Sequence, residues 1–590
     1  MAIRRRWSRV ALNVVAVAVF FYILYRLRSP GGINGLFGNG PFSTGRFSWA
    51  HMPVRNRVES YIPLPQGSPQ ALPNVQYNFP PESADARALR QQRQAEVKRA
   101  FERTWKAYRE RAWMADELAP ISGGSKNTFG GWAATLIDTL DTLYIMGMEE
   151  EFREAVAAVD TVDFSTSTLE TINVFETTIR HLGGLLAAFD LSGEPLLLRK
   201  AVEVADMLYV AFDTPNRMPI TRWNPHVAKH GNPQTANDVA LVAEVGSLSM
   251  EFTRLAQITG DNKWYDAVAR VTLILESQQS KTKLPGMWPV VVDARRPDFA
   301  TDNSFTLGAM ADSVYEYLPK MHALLGGLEP VYQNMYNAAM PICIRNNLFR
   351  PMVPDNADIF MSGNVRVQAP TVIAIEPQAQ HLVCFAGGMF ALGGRLFGLP
   401  EHVDIGRRLT DGCIWAYKNS ANGIMPEVSH MVMCPREDEG ECSWDEAKWK
   451  SEVRRRAALG EGDDVDEFIR RGRLPPGFSG IRDKRYILRP EAIESVFILY
   501  RITGEPRFQE SAWDMFTAIM KSTQSELANA AVTDVTVTTT EGRLPKSDSM
   551  ESFWTAETLK YFYLIYSDPA LISLDEYVLN TEAHPFRRPR

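Results

Sequence analysis

From about residue 88 onward, apolar residues recur along the chain at intervals of three and four, the spacing of one face of an α-helix. The first clear run is Val97, Phe101, Trp105, Tyr108 and Ala112, with steps of four, four, three and four. Similar runs follow almost to the end of the chain. The pattern therefore predicts an all-α protein.

A short cluster around a glycine recurs between these runs, and such a cluster can end one helix and begin the next. The recurrence predicts a series of helical hairpins, and its irregular spacing favours a closed ring over an open solenoid. Strand-like segments are few, and we expect residues 290–292 and 531–540 to form short hairpins at one rim. The glycine clusters lie at residues 191–194, 258–261, 502–505 and, in a looser form, 397–400.

The first 28 residues have a different pattern from the rest of the chain. Arg4, Arg5, Arg6 and Arg9 precede an apolar run over residues 10–25. As a helix this run would span about 24 Å, a little less than a bilayer core of about 30 Å. A cleaved signal peptide is the alternative, but no small-x-small cleavage site follows the run. We predict a cytoplasmic tail at 1–9, a transmembrane anchor at 10–25, a lumenal stem at 26–86 and the main domain at 87–590.

Composition narrows the range of functions. The chain has 590 residues, 45% of them hydrophobic, which is enough for a large core. Its formal net charge of -7 argues against a nucleic-acid-binding protein, which would normally present a basic face. No nucleotide-binding loop, nucleophile elbow or His-Glu-x-x-His motif is present.

Several acidic residues lie in unusually apolar surroundings. Each could simply be a favourable charge at the start of a helix, and Glu176 with Arg180 one turn later could be a structural ion pair. A group of carboxylates beside aromatic residues is, however, typical of a sugar-binding pocket. Glycoside hydrolysis needs two carboxyl groups, one as acid and one as base or nucleophile. The residues are Glu176, Asp312, Glu427, Glu491, Glu494 and Glu551.

The chain resembles glycoside hydrolase family 47, the class I α-1,2-mannosidases of the endoplasmic reticulum and Golgi. The resemblance extends from about residue 95 to 586, in the family's order. It is carried by WAATLIDTLDTLYIMGMEEEF (132–152), FETTIRHLGGLL (175–186), ADSVYEYL (311–318), HLVCF (381–385), GIMPE (423–427), RPEAIES (489–495), MESFWTAETLKY (550–561) and NTEAHP (580–585).

The resemblance implies an (α/α)7 barrel for the main domain and an inverting exo-hydrolase that removes terminal α-1,2-linked mannose from high-mannose N-glycans. It gives Glu176 the role of acid, acting directly or through a water, and Glu491 the role of base. Asp312 and Glu427 match further acidic positions of the active site, and how the roles divide among the four is left open. Residues expected to bind substrate are Arg180, His381, Arg489, Glu494 and Glu551.

The resemblance also implies one Ca²⁺ ion at the floor of the barrel. Thr581 would bind it directly through its carbonyl and hydroxyl, and Glu551 and Glu582 would reach it through waters. Calcium accepts six to eight oxygen ligands, including waters, so this set suits it.

Among the five cysteines, Cys384 and Cys413 match the family's disulfide. Cys434 and Cys442 could form a second, local bridge, which would leave Cys343 free.

Single-mannose trimmers of the endoplasmic reticulum carry Arg two positions before the matching aspartate, where this chain has Met310. Methionine lacks the hydrogen-bonding fork of arginine, so we expect broader trimming, as in the Golgi members.

Two other functions remain open at this point: a mannosidase-like glycan-binding protein of glycoprotein quality control, and a helical-barrel hydrolase of β-linked polysaccharide. The expected location is the endoplasmic reticulum or Golgi membrane, with the main domain in the lumen.

Overall fold

The structure, a computed structural model, describes residues 47–369, 372–435, 440–538 and 542–589. Helices dominate it, as the apolar spacing predicts. Two π-helical turns, Thr177–Leu182 and Trp554–Thr558, directly precede α6 and α20. The α-helices are α1 (Ala84–Arg111), α2 (Ala134–Asp138), α3 (Leu140–Ile145), α4 (Glu149–Val159), α5 (Val174–Glu176), α6 (Gly183–Ser192), α7 (Pro195–Val210), α8 (Pro225–Ala228), α9 (Val242–Gly246), α10 (Ser249–Thr259), α11 (Asn262–Gln279), α12 (Asp312–Leu324), α13 (Val331–Asn346), α14 (Phe385–Phe397), α15 (Pro400–Asn419), α16 (Glu446–Arg456), α17 (Val465–Gly472), α18 (Glu491–Thr503), α19 (Arg507–Thr523) and α20 (Leu559–Ile565).

Within these ranges, one set of helices forms a closed inner ring. Helices α3, α6, α10, α12, α14, α18 and α20 contact one another in chain order, and the π-helical turn before α20 returns to α3. Each inner helix also packs against an outer partner, respectively α4, α7, α11, α13, α15, α19 and α1. The inner helices α14 and α18 are buried on nearly every side, whereas the outer helix α19 buries one stripe. This ring of helix pairs agrees with the barrel that the resemblance implies.

The glycine clusters end helices as the sequence predicts. Gly193, Gly260, Gly398 and Gly504 follow four of the inner helices with φ angles of 72°, 72°, 67° and 71°. This left-handed conformation strains residues that carry a Cβ atom, and it lets the chain turn sharply into the outer helix. Glu194 and Asp261 then cap the next helices through their carboxylates.

Short antiparallel strands connect the helices. The predicted strand at 290–292 is confirmed, since β6 pairs with β5. The strand predicted at 531–540 is wrong for its described part, which forms only isolated bridges at Val532. There the Asp534 carboxylate accepts bonds from the Thr536 amide and hydroxyl, which folds the segment into a turn. The strands are β1 (Glu117–Leu118), β2 (Ser125–Lys126), β3 (Ile172–Asn173), β4 (Arg222–Trp223), β5 (Ala240–Leu241), β6 (Val291–Val292), β7 (Ser304–Phe305), β8 (Leu348–Phe349), β9 (Met361–Ser362), β10 (Asn364–Ala369), β11 (Val372–Glu376), β12 (Gln378–Gln380), β13 (Val428–Met431), β14 (Phe478–Asp483), β15 (Tyr577–Leu579) and β16 (Pro585–Arg587).

Residues 49–83 lie within the predicted stem, yet they run along the helical domain and do not act as a free spacer. They begin with a 3₁₀ turn at Trp49–His51 and continue mostly without regular secondary structure. Main-chain amides of this segment donate to acidic side chains of the helical domain: Arg55 and Asn56 to Asp213, Ile62 to Asp266 at 2.8 Å, and Val75 to Asp575 at 2.6 Å. Proline, glycine and serine signal an absence of regular structure, but they do not prevent hydrogen bonding of an irregular chain to a neighbouring surface.

The predicted cytoplasmic tail and the anchor at 10–25 lie outside the described residues. Among the residues that the structure does describe, none of the helices is both long and apolar enough to cross a membrane.

Candidate active site

The ends of the inner helices bring the predicted acidic residues together. Asp312 and Glu491 are the first residues of α12 and α18, and Glu176 lies in the first turn of the helical segment that begins with α5 and continues into the π-helical turn. The positive end of a helix favours a carboxylate, which explains why acidic side chains occupy these positions. Asp312, Glu491 and Glu176 all keep part of their surface exposed.

Glu491 is held as a charged carboxylate. Its Oε2 lies 2.9 Å from His381 Nδ1, and its Oε1 lies 3.4 Å from Arg489 Nη1. Burial alone would raise the pKa of Glu491, but the Arg489 charge and the His381 hydrogen bond hold that pKa below its usual value. Such a group is suited to accept a proton.

The surroundings of Asp312 raise its pKa, in contrast to those of Glu491. Burial, together with the charges of Glu316 and Glu491, raises the pKa of Asp312 to about 7, against the opposing effect of a hydrogen bond from the Ser313 amide. Two neighbouring carboxyls with pKa values displaced in opposite directions are typical of an acid and base pair.

Arg489 connects Glu491 to Glu427. Its Nε donates to Glu427 Oε2 at 2.6 Å, and Glu427 precedes β13 directly. The second oxygen of Glu427 is buried and has no hydrogen-bond partner among the described residues. A buried carboxylate oxygen without a donor is costly, which favours a ligand hydroxyl at this position.

Arg180 organises the other side of the site. It donates to Glu176 at 3.0 Å, to Glu582 at 3.0 Å and to the Ser552 hydroxyl at 3.1 Å. The half-buried ring of Phe129 lies 4.9 Å from its guanidinium carbon. Arg180 therefore holds an aromatic face and two carboxylates in one place.

Glu551 lies near both the Arg489 side and the Arg180 side of the site. Burial and the charges of Glu117 and Glu176 raise its pKa, while Arg180 and Arg489 both act to lower it. Glu551 is therefore close enough for the charges of both arginines to affect its pKa.

Hydrogen bonds and close packing fix the conformation of the turn that carries Thr581. It connects β15 to β16, and the Asn580 side chain accepts from the amides of Glu582 and His584 at 2.9 and 2.8 Å. The Thr581 amide donates to Tyr317 Oη at 3.4 Å. A Cβ atom at Gly183 would lie 2.8 Å from Asn580 Nδ2, so α6 passes too close for any other residue there.

A fully buried charge network supports this turn. His584 bonds Asp138 at 3.0 Å and Asp141 at 3.1 Å. Lys560 donates to Asp141 at 2.7 Å and to the Ala583 carbonyl at 2.9 Å. The network joins α2, α3 and α20 to the turn, so that the ring of helices fixes the position of Thr581.

Carboxylates crowd the space around Thr581. Burial and the charge of Glu582 raise the pKa of Glu557 well above its usual value. Burial, with the charges of Asp138 and Glu176, raises the pKa of Glu582 to about 8 against the opposing charge of Arg180. A hard cation relieves such repulsion, and the donors present are all oxygens, which suits Ca²⁺. In the described part of the chain, no three acidic, histidine or cysteine side chains converge to hold an ion directly. The oxygen donors around this turn fit such a cation.

Some predicted substrate-binding residues lie behind the site. His381 is 0% exposed, and its ring nitrogens contact Glu491 and Tyr417. Glu494 is buried and bonded to Lys320. Both side chains hydrogen-bond to their neighbours behind the carboxylates, and a substrate contact for either stays a prediction.

Both cysteine pairs are disulfides, Cys384 with Cys413 and Cys434 with Cys442, and Cys343 is buried and free. Sequence reasoning missed Asp138, Asp141, Tyr317 and Tyr417 as supporting residues. Asp138 and Asp141 stand inside a matched motif (132–152), and their polar character within an apolar helix was the available signal.

Comparison with known proteins gives consistent results. The sequence profile described as "Glycosyl hydrolase family 47" matches residues 100–588. The chain is 35% identical over 501 residues to an endoplasmic reticulum mannosyl-oligosaccharide 1,2-alpha-mannosidase of Rattus norvegicus, covering 84% of this chain and 68% of the relative. It is 31% identical to a mannosyl-oligosaccharide alpha-1,2-mannosidase of Penicillium citrinum, covering 83% and 90%. The solved alpha-1,2-mannosidase from Trichoderma reesei superimposes with a TM-score of 0.73 at 30% identity, covering 85% of this chain and 99% of that one.

Proposed function

The chain belongs to glycosyl hydrolase family 47, as a mannosyl-oligosaccharide 1,2-α-mannosidase, and from this premise we propose that it trims terminal α-1,2-linked mannose from high-mannose N-glycans by an inverting, calcium-dependent reaction. The observation that carries the reaction type is the pair Glu491 and Asp312. The first carboxyl is held charged by Arg489 and His381, while burial keeps the second protonated up to a pKa of about 7.

In the proposed reaction Glu491 takes a proton from a water molecule, whose oxygen forms the new bond to the anomeric carbon. The glycosidic bond breaks, and its oxygen receives a proton from the acid. One displacement without a covalent intermediate inverts the anomeric configuration, and it needs room for a water between base and sugar.

The acid has two candidates. The resemblance assigns the role to Glu176, and the raised pKa of Asp312 keeps that group protonated near neutral pH. Fluoride needs no proton to leave, so activity on α-mannosyl fluoride distinguishes the acid from a supporting carboxyl group. The variant that lacks the acid, Glu176→Gln or Asp312→Asn, should lose activity on the glycan but keep it on the fluoride. A supporting carboxyl should lose activity on both substrates.

We propose that Thr581 holds Ca²⁺ directly, with Glu551 and Glu582 binding it through waters. When bound, the ion supplies a positive charge and open oxygen-coordinating positions for sugar hydroxyls. The chain's own contribution is to fix the Thr581 turn through Asn580 and the network below it.

Met310 supports broad trimming. It is 52% exposed and lies two residues before Asp312, at the position where single-mannose trimmers carry the arginine. With methionine there, several branches should be accepted in turn.

We further propose that the apolar run at 10–25 anchors the chain in the endoplasmic reticulum or Golgi membrane, with the helical domain in the lumen. The rat relative is named an endoplasmic reticulum enzyme, and the lumenal disulfides suit an oxidising compartment.

The full chain, incubated with a nine-mannose glycan with and without EDTA, tests these proposals together. Mass analysis should show sequential mannose loss that EDTA abolishes and Ca²⁺ restores, and proton NMR should show β-mannose as the first product. Arrest after one mannose would contradict broad trimming. Binding of the glycan without release would instead indicate a glycan-binding protein.

A further inference from the structure

Tyr417 contacts the histidine that supports Glu491. Its hydroxyl oxygen lies 2.7 Å from His381 Nε2, while His381 Nδ1 lies 2.9 Å from Glu491 Oε2. The three side chains thus form a short chain that leads from the core to the carboxylate. Tyr417 belongs to the outer helix α15, and sequence reasoning assigned it no role.

The chemistry of the three groups fixes where their protons lie. A carboxylate only accepts hydrogen bonds, so His381 Nδ1 must carry the proton that faces Glu491. In the neutral ring Nε2 is then an acceptor, and the Tyr417 hydroxyl must donate to it. Burial raises the pKa of the Tyr417 phenol well above its usual value, so this donor keeps its proton.

The surroundings hold Tyr417 in this position. Cys413 stands one helical turn before Tyr417, and its disulfide to Cys384 joins α15 to the segment that carries His381. The rings of Tyr417 and His381 meet at 63° with centroids 5.6 Å apart. Tyr486 packs against both rings and leaves the imidazole little freedom to turn.

We propose that Tyr417 is a positioning residue for the reaction: by donating to His381 Nε2, it keeps the ring's Nδ1 proton directed at Glu491. The inference rests on the role of base proposed above for Glu491. Tyr417 acts only through His381, and its removal leaves Nε2 without a donor, so the ring is no longer held with its Nδ1 proton on Glu491.

Kinetics of Tyr417→Phe test the proposal. Loss of one buried hydrogen bond corresponds to about a tenfold fall in kcat. KM should change less than about twofold, because the bond orients the base and does not contact the sugar.

Tyr336→Phe is the matched control. Tyr336 Oη lies 2.9 Å from His402 Nδ1, so this buried pair loses the same kind of bond away from the carboxylates. Both variants should show a similar fall in thermal stability, and only Tyr417→Phe should lower kcat. In a His381→Asn background, Tyr417→Phe should have no further effect on kcat. An unchanged kcat in Tyr417→Phe, an equal fall in Tyr336→Phe, or full additivity of Tyr417→Phe and His381→Asn would overturn the proposal.

The tautomer of His381 can be measured without catalysis. In the full chain labelled with ¹⁵N-histidine, the His381 signal, assigned by its loss in His381→Asn, should show a proton on Nδ1 and none on Nε2. A proton on Nε2 would refute the inference even in an active enzyme. If the wild-type chain released no mannose while the tautomer was as expected, the proposed function would fail and this hydrogen-bond assignment would stand.

Discussion

Lys560→Met removes the ammonium group from the buried network beneath the Thr581 turn. The side chains of Lys560 and Asp141 are both 0% exposed, and Lys560 Nζ lies 2.7 Å from Asp141 Oδ2. Methionine has a similar volume and a high helix propensity, so the change removes charge with little loss of packing. Asp141 then keeps His584 as its remaining charged partner, at 3.1 Å.

Removing one member of a buried ion pair typically costs about 3–5 kcal/mol. His584 offsets part of this cost: burial opposes its charge, but Asp141 and Asp138 raise its pKa above the usual value. We expect a loss of about 3 kcal/mol in the free energy of unfolding at pH 6. The contribution of charged His584 is complete below its unfolded pKa of about 6.5 and is lost as pH rises through the higher folded pKa. The deficit of Lys560→Met should therefore be larger at pH 8 than at pH 6.

Urea unfolding followed by tryptophan fluorescence at both pH values measures these losses. The control is Lys106→Met, whose exposed ammonium is 3.9 Å from Glu110, and it should change stability by less than about 0.5 kcal/mol. Adding Asp141→Asn to Lys560→Met should recover part of the loss, because no carboxylate is then left uncompensated. A loss below about 1 kcal/mol, or a double variant no more stable than the single one, would refute the reasoning.

Three other predictions concern the site itself. Glu491→Gln should lower kcat by about 10²–10⁴-fold with little change in thermal stability, and near-normal turnover would remove Glu491 from the role of base. Asp312, protonated up to a pKa of about 7, should give the high-pH limb of the rate profile if it is the acid, so kcat should fall as pH rises through that value. A limb that persists unchanged in the residual activity of Asp312→Asn would assign that ionisation to another group. Gly183→Ala places a Cβ atom 2.8 Å from Asn580 Nδ2 and should weaken calcium binding, read as a smaller calcium-induced rise in melting temperature; an unchanged rise would show that the turn tolerates the displacement.

The helical pairs could be predicted from the chain because their signals are local. Spacings of three and four mark each helix, and glycines such as Gly193 and Gly504 mark the turn that follows it. Closure of the ring depends on contacts between the π-helical turn before α20 and the far earlier α3, and no periodicity predicts contacts between segments so far apart in the chain. The strand prediction at 531–540 failed for its described residues because alternating Thr and Val also suit a turn once Asp534 offers a local acceptor.

The residues of the site were also predictable only in part. Glu176, Asp312 and Glu491 stand inside motifs with a family resemblance, so the resemblance identified them. The contacts that support them could not be predicted in this way, because they join residues that are separated in the chain: His584 contacts Asp138 across 446 positions, and Tyr417 contacts His381 across 36. An isolated Tyr in an amphipathic helix looks like any core residue, and only its place beside the imidazole gives it a role.

The segment at 49–83 decides where a shortened recombinant form of this enzyme can begin. Trp49 is buried, with its indole nitrogen 2.8 Å from the Phe164 carbonyl, and the amides that follow it satisfy Asp213, Asp266 and Asp575. In a form starting at α1, these three carboxylates would lose the amides that donate to them, and apolar surface of the outer helices would become exposed to solvent. Its N-terminal boundary therefore belongs upstream of Trp49, and a protease that cut between Trp49 and α1 would loosen the fold without touching the active site.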